Sequence, residues 1–315
     1  MNLPVVMLVA LGIDLAVGWP DGLFRRIGHP VTWIGRQILF LEGKLNRGTW
    51  PALKRRLAGV LVLVLVAGTA ALLALMLERS LPAGTPAMLI AGITGWPLIA
   101  ARSLHQHVRA IAVPLDAGDL AGARIEVSKI VGRDPDLLDA AGVSRAAIES
   151  LAENTSDGIV APLFWGALLG LPGLAAYKAI NTLDSMIGHR TERFSAFGWA
   201  SARFDDLVNL VPARLTALLF ALASSRPVAA IATAWRDADH HRSPNAGWPE
   251  AAMAGALGVR LSGPRAYEGA VSDEPWVNAC KRDPAAADIL AGLALYRRVI
   301  LLLAVALGTL AFAVQ

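Results

Sequence analysis

The longest unbroken hydrophobic run covers residues 57–77, LAGVLVLVLVAGTAALLALML, and contains no charged side chain. About 20 apolar residues cross a bilayer core as a helix, so this run predicts a transmembrane span. Five weaker segments follow the same logic. Residues 3–17 contain Asp14, 86–101 contain Trp96-Pro97, and 158–177 contain Pro162 and Pro172-Gly173. Residues 207–223 carry Arg214, and 299–314 are uncharged but short. The pattern predicts four to six spans.

Between the second and third groups of spans lies a polar region, 103–149. There Leu115, Leu120, Ile125 and Ile130 recur at near-helical spacing, and Asp134-Pro135 signals a further helix start. Period-two alternation is scarce. The expected fold is all-α: a polytopic integral membrane protein with cytoplasmic helical loops, forming a single domain over 1–315. Its polar blocks are 149–214 and 237–269.

Composition agrees with a membrane protein. The chain is 55% hydrophobic and only 17% charged, against about 25% charged in soluble domains. The N-terminus lacks a basic region and a small-residue cleavage site, so it reads as a retained first helix. One cysteine, Cys280, excludes an intramolecular disulfide and a cysteine-based zinc cage.

The net charge is +4 and the isoelectric point is near 9.6. The positive charge is concentrated. Residues 19–56 hold Arg25, Arg26, Arg36, Lys44, Arg47, Lys54, Arg55 and Arg56 against Asp21 and Glu42. Such an excess beside a strong span marks a cytoplasmic loop. The basicity reports orientation across the bilayer, or an anionic substrate, with the lipid bilayer and not nucleic acid as the large partner.

Three polar clusters stand beside apolar segments. In ESLAENTSDG, Glu149, Glu153 and Asp157 are spaced i, i+4, i+8 and share a helix face, with Asn154 and Gly158 beside them. In KAINTLDSMIGHR, Asn181, Asp184 and Ser185 lie on adjacent turns before Gly188. In ARFDDLVNLVPAR, Asp205, Asp206 and Asn209 precede Pro212 and Arg214. One such cluster reads as a solvated helix end. Three of them in a chain this poor in charge point to an oxygen-ligand cation site or a phosphate site. A fourth region, 237–269, offers Ser243-Pro244-Asn245, Gly247 and Gly263-Pro264 as tight loops able to present amides to an anion. His240 and His241 are adjacent, which is poor spacing for two ligands of one metal. No GxxxxGK[ST] pattern is present, so any nucleotide is held without a P-loop.

The stretches HPVTWIGR, KIVGRD, ESLAENTSDGIVAPLFW, YKAINTLDSMIGHR, FGWASARFDDLVNLVPAR and SPNAGWPEAAMAGALGVRL, in this order, resemble the adenosylcobinamide-phosphate synthase family of cobalamin biosynthesis. The resemblance covers nearly the whole chain. It implies an ATP-dependent acid–amine ligase with Mg²⁺. The reaction would join a propionate carboxylate of adenosylcobyrate to aminopropanol phosphate, or to an ethanolamine-type amine. The active site would face the cytoplasm, near other membrane enzymes of cobalamin assembly.

On that basis Glu153, Asn154, Asp157, Asn181, Asp184 and His189 are the expected catalytic residues, with Glu153 or His189 as base. Glu153, Asp157, Asp184, Asp205 and Asp206 would hold Mg²⁺ or its waters. Lys178, Arg190, Asn209, Arg214, Ser243 and Asn245 would contact substrate or phosphate.

Topology adds a requirement. If 158–177 and 207–223 both spanned fully, the first two clusters would face opposite sides, so at least one segment is expected to be broken, re-entrant or buried. An intramembrane prenyl or diphosphate transferase is an alternative, because NTLD and DDLVN faintly resemble its Asp-rich motifs, although the fuller NDxxDxxxD is absent. A CDP-alcohol phosphotransferase fails at the required arginine, since Asp157-Gly158 continues Ile-Val-Ala-Pro. An ion-coupled transporter is the non-enzymatic alternative.

Overall fold

The computed structural model describes residues 1–130, 135–267, 270–272 and 274–314. Among these the fold is almost wholly helical. In chain order the helices are α1 (Leu3–Val17), α2 (Asp21–Ile27), α3 (Pro30–Leu45), α4 (Ala52–Ser80), α5 (Thr85–Gly95), α6 (Ala101–Asp116) and α7 (Leu120–Ser128). They continue with α8 (Ala140–Thr155), α9 (Ala161–Ile187), α10 (Trp199–Val208), α11 (Leu210–Ala223), α12 (Pro227–Asp237), α13 (Gly247–Leu257) and α14 (Ala286–Ala313). Two short antiparallel strand pairs join Leu261–Ser262 to Trp276–Val277, and Arg265–Tyr267 to Ala270–Ser272.

Among the described residues, four helical stretches are long and apolar enough to cross a membrane: Ala52–Ser80, Thr85–Asp116, Ala140–Ile187 and Ala286–Ala313. The number is six if each of two bent pairs counts as one span: Leu3–Val17 with Asp21–Leu45, turned by 109°, and Trp199–Val208 with Leu210–Ala223. This meets the expectation of four to six. The basic segment 19–56 is not a plain loop, because α2 and α3 occupy most of it. Asp134 of the expected helix start, residues 131–133 before it in KIVGRD, and positions 268 and 269 of the fourth polar region lie outside the described residues, and Pro135–Leu137 forms only a short 3₁₀ turn. Instead α8 begins behind Asp139, whose carboxylate accepts the Gly142 N–H at 2.6 Å as an N-cap.

The chain, read from sequence as one domain over 1–315, divides into two compact units built from separate stretches. The first comprises Met1–Ala100, Ala161–Asn209 and Ala306–Gln315, and the second Ala101–Val160 and Leu210–Val305.

In the first unit α4 and α9 run antiparallel. At the Ala52 end, Ile38, Ala58, Val62, Leu183, Ile187 and Phe197 form a buried core. Glycines permit this close approach: a methyl group at Gly59 would strike the Phe197 carbonyl, and one at Gly198 the Ile187 carbonyl. At the Ser80 end α9 is broken. Gly170 sits at φ 70°, ψ −157°, and Pro172 follows inside the helix. The Leu171 N–H released by the break donates to Glu78 Oε2 at 2.8 Å. The prolines of 158–177 thus coincide with a real discontinuity, and the carboxylate of α4 supplies the missing cap.

In the second unit α12 and α13 pack through small residues, since a methyl group at Gly255 would strike the Ala229 carbonyl and Ala230 backbone. Asp237 accepts from Arg236 (2.7 and 2.8 Å) and from the Asn278 N–H (2.7 Å). Asp283 accepts from Arg145 at 2.6 Å and from Arg260 at 2.9 and 2.5 Å. The two guanidinium groups also lie over the Trp276 ring, at 5.2 and 4.2 Å. The Arg260 hydrogen bonds, against some burial and with help from the Arg145 charge, hold the Asp283 carboxyl below its ordinary value.

Candidate active-site residues

The sequence-predicted residues fall in both units. Asn181, Asp184, His189, Arg190, Asp205, Asp206, Asn209 and Lys178 belong to the first unit. Glu153, Asn154, Asp157, Arg214, Ser243 and Asn245 belong to the second.

In the first unit the carboxylates gather. Asp205, on α10, lies within electrostatic reach of Asp184 on α9 and of Asp206, with Asn181 beside it. Its Oδ2 accepts from Asn209 Nδ2 at 2.9 Å, and Asn209 Oδ1 accepts from the Tyr177 hydroxyl at 2.9 Å. Tyr177 and Asn209 are both almost fully buried, so this relay fixes one edge of the carboxylate. The other oxygen, Asp205 Oδ1, is buried with no hydrogen-bond partner, and so is Ser201 Oγ one turn earlier on α10. Two orphaned oxygens on one helix face call for a donor or a cation, because buried polar atoms are otherwise paired. Asp206 pairs with Arg203 at 3.0 Å and feels Arg190, while His189 bears on Asp184. The Asp184 carboxylate packs onto Gly188, where any Cβ would overlap it.

The loop that follows α9 is held in place. Arg193 forks onto buried Glu42 at 2.9 and 2.7 Å, and Asn46 donates to Glu42 Oε1 at 2.8 Å. Arg55 donates to Asn46 Oδ1 at 3.0 Å and to the Arg193 carbonyl. This network ties the α3–α4 corner to the segment that carries His189 and Arg190.

In the second unit α8 passes into a π-helical turn, Ser156–Val160. The wider turn moves Asp157 off the i, i+8 face expected from α-helical spacing, so Glu149, Glu153 and Asp157 do not form one regular stripe. Glu149 is buried and accepts the Ser262 N–H at 2.7 Å. That resolves its charge with a backbone donor. Asn154 donates to the Ser150 carbonyl at 2.9 Å. Arg214 donates to the Leu210 carbonyl at 2.8 Å and to Asn245 Oδ1 at 3.3 Å, and it lies 4.7 Å over Trp248. The amides of Asn245 and Ala246 donate to Ser243 Oγ at 3.2 and 3.4 Å, and the Ser243 amide to His241 Nδ1 at 3.0 Å. These amides close the 243–246 loop on itself rather than standing open to an anion.

Among the described residues, no three His, Cys, Asp or Glu side chains gather into a metal-ligating group. Magnesium rarely needs one, since it keeps waters and takes one or two carboxylates plus substrate phosphates. The orphaned Asp205 Oδ1, with Asp184 adjacent and Ser201 one turn away, fits such an ion. Sequence reasoning did not find Ser201, Tyr177, Arg203 or Glu78. Only Ser201 had a legible signal, its i−4 spacing from Asp205.

Fold and site define a polytopic helical membrane protein with a buried carboxylate–amide cluster beside its spans. The family model described as CobD/Cbib protein matches residues 7–296. The "Cobalamin biosynthesis protein CobD" of Rhodobacter capsulatus is 62% identical over 311 residues, covering 99% of this chain and 98% of that protein. Its namesake from Sinorhizobium fredii is 49% identical, covering 97% and 96%, and that from Brucella suis is 47% identical, covering 93% and 92%. No solved structure matches. The chain belongs to the CobD/Cbib family of cobalamin-biosynthesis proteins.

Proposed function

We propose that this protein is an ATP- and Mg²⁺-dependent ligase of the inner membrane. It would condense a propionate carboxylate of adenosylcobyrate with the amine of aminopropanol phosphate, or of an ethanolamine-type analogue. The observation that carries the reading is buried Asp205, within electrostatic reach of Asp184, with its orphaned Oδ1 and the orphaned Ser201 Oγ one turn away. It is a site prepared for positive charge in a span-rich protein of a corrinoid pathway.

A carboxylate is a poor electrophile, so its oxygen would first attack the γ-phosphorus of ATP, releasing ADP and leaving an acyl phosphate. The amine nitrogen, having lost its ammonium proton to a base, would then attack the carbonyl carbon, and inorganic phosphate would leave. Asp205, Asp184 and Asp206 would hold Mg²⁺ or its waters, and the ion would neutralise phosphate charge. Asn181 and Asn209 fix the carboxylates; His189, Arg190 and Lys178 would meet phosphate oxygens. In the second unit, Glu153 and Asp157 are the proposed carboxylate ligands, and Asn154, Arg214, Ser243 and Asn245 the proposed contacts to corrinoid or amine.

The antiparallel α4–α9 pair supports a cytoplasmic site. Asp184 lies about 21 Å along α9 from the break at Gly170, by about 1.5 Å per residue. That places it near the Ala52 end of α4, beside Lys54, Arg55 and Arg56.

Amide formation from adenosylcobyrate, aminopropanol phosphate and Mg²⁺-ATP by purified protein tests the reaction against prenyl transfer and transport. Asp205→Asn and Asp184→Asn should each abolish it while leaving folded protein in detergent. Mg²⁺-ATP at a hundredfold excess over its Kd should stabilise the wild type by about 2.7 kcal/mol. Near-normal turnover by either variant at saturating Mg²⁺ would remove that carboxylate from the site.

A further inference from the structure

The motif HPVTWIGR has no role in the cluster around Asp205, yet its histidine sits in a specific setting. His29 is the N-cap of α3: its Nδ1 accepts the Val31 N–H at 3.2 Å, and its own N–H donates to Thr32 Oγ1 at 3.1 Å. A backbone amide can only donate, so Nδ1 carries no proton while the cap is formed. Neutral His29 is therefore fixed as the Nε2–H tautomer, a donor and not a base. The Lys178 ammonium is near enough to act on this ring.

Against the same ring stands Trp19, edge-on with centroids 4.9 Å apart, and Trp19 in turn meets Trp96 at 5.7 Å. The indole N–H groups of Trp33, Trp96 and Trp165 donate to the carbonyls of Ile27, Gly18 and Val208 at 2.8–3.2 Å. Trp19 Nε1 is different: it is buried and has no partner. Tryptophan N–H groups that leave water ordinarily find an acceptor.

The position adds weight. Lys178 lies about 12 Å along α9 from the break at Gly170 and about 9 Å short of Asp184. That is within the candidate span Ala140–Ile187, where an ionisable group ordinarily faces protein rather than lipid.

We propose that Trp19 Nε1–H and His29 Nε2–H, backed by the Lys178 charge, form a subsite for an oxyanion, a phosphate or a carboxylate. Its natural sources are the phosphate of the amine substrate or a carboxylate of the acid substrate. Only the naming of those sources rests on the ligase reading; oxyanion binding itself does not.

The test uses the full-length protein in dodecyl maltoside, which contains no phosphate, with ¹⁵N-labelled indoles. Trp19→Phe identifies the Trp19 Nε1–H resonance. Titration with inorganic phosphate should move that resonance saturably. His29→Asn should weaken the apparent affinity at least tenfold, because asparagine retains the N-cap but lacks the Nε2–H donor. Its melting temperature should stay close to wild type. A saturable shift with acetate and none with phosphate would assign the subsite to a carboxylate. No saturable shift with either anion, or wild-type affinity in His29→Asn, overturns the proposal. In turnover, Trp19→Phe and His29→Asn should raise KM for aminopropanol phosphate and leave that for aminopropanol unchanged if phosphate is the ligand. Equal losses with both amines, in a protein that binds phosphate normally, would mark a structural role and overturn it. Absence of any ligation by the wild type would count against the ligase reading alone and leave the titration to decide this one.

Discussion

Gly170→Ala should be among the most damaging single-methyl additions in the chain. Gly170 sits at φ 70°, ψ −157°, a region open essentially only to glycine, and its Cβ would overlap the Glu78 carboxylate. Backbone strain alone is worth about 1–3 kcal/mol. Displacing Glu78 would also leave the buried Leu171 N–H without its acceptor, at about 1–3 kcal/mol. The two costs are coupled through one carboxylate. In a Glu78→Ala background the N–H is already orphaned and the overlap is gone, so the methyl group should cost only the strain. The difference between backgrounds, about 1–3 kcal/mol, is the interaction energy of the cycle. Thermal unfolding of the four proteins in one detergent measures it. The single variants should each melt several degrees below wild type, and the double variant well above the sum of their losses. Additive losses would refute the shared-carboxylate argument, and an unchanged Gly170→Ala would refute the strain argument as well.

The Asp283 carboxyl is held below its ordinary value by Arg260 and Arg145. A depressed carboxyl contributes stability that is fully present above the ordinary value of 3.8 and is lost as pH falls through the lowered folded value. Asp283→Asn should therefore lower the melting temperature at pH 7, with the deficit narrowing as pH falls below 3.8; a deficit constant with pH would show that no such linkage exists. The excess of Lys and Arg over residues 19–56 predicts that the α3–α4 corner faces the cytoplasm. In a Cys280→Ser background, which removes the exposed native thiol, a cysteine at exposed Thr49 should resist an impermeant maleimide in sealed right-side-out vesicles. Ready labelling would invert the topology.

The spans were legible in the sequence because burying backbone in lipid demands an uninterrupted local helix, and locality is what a linear pattern records. Residues 57–77 sit inside α4, 299–314 overruns the end of α14 by one residue, and 3–17 matches α1 at both ends. The break in 158–177 was foreshadowed by its prolines, which cannot donate a helical hydrogen bond. The carboxylates of Asp184, Asp205 and Asp206 stood out because charge is rare in this chain.

What answers each polar group was decided only in three dimensions. Glu149 looked like one of three equivalent acids at a helix end, and the fold gives it the Ser262 amide, 113 residues away. Glu78 looked like an interfacial charge, and the fold makes it the cap of a helix broken 93 residues later. Arg193 and Glu42 find each other across 151 residues. Asp205 keeps one oxygen unanswered, and the spacing of its neighbours in sequence could not distinguish it from Asp206, which has Arg203. A span is a property of consecutive residues in a uniform solvent, whereas the pairing of a buried charge depends on which distant atom the packed chain delivers to it.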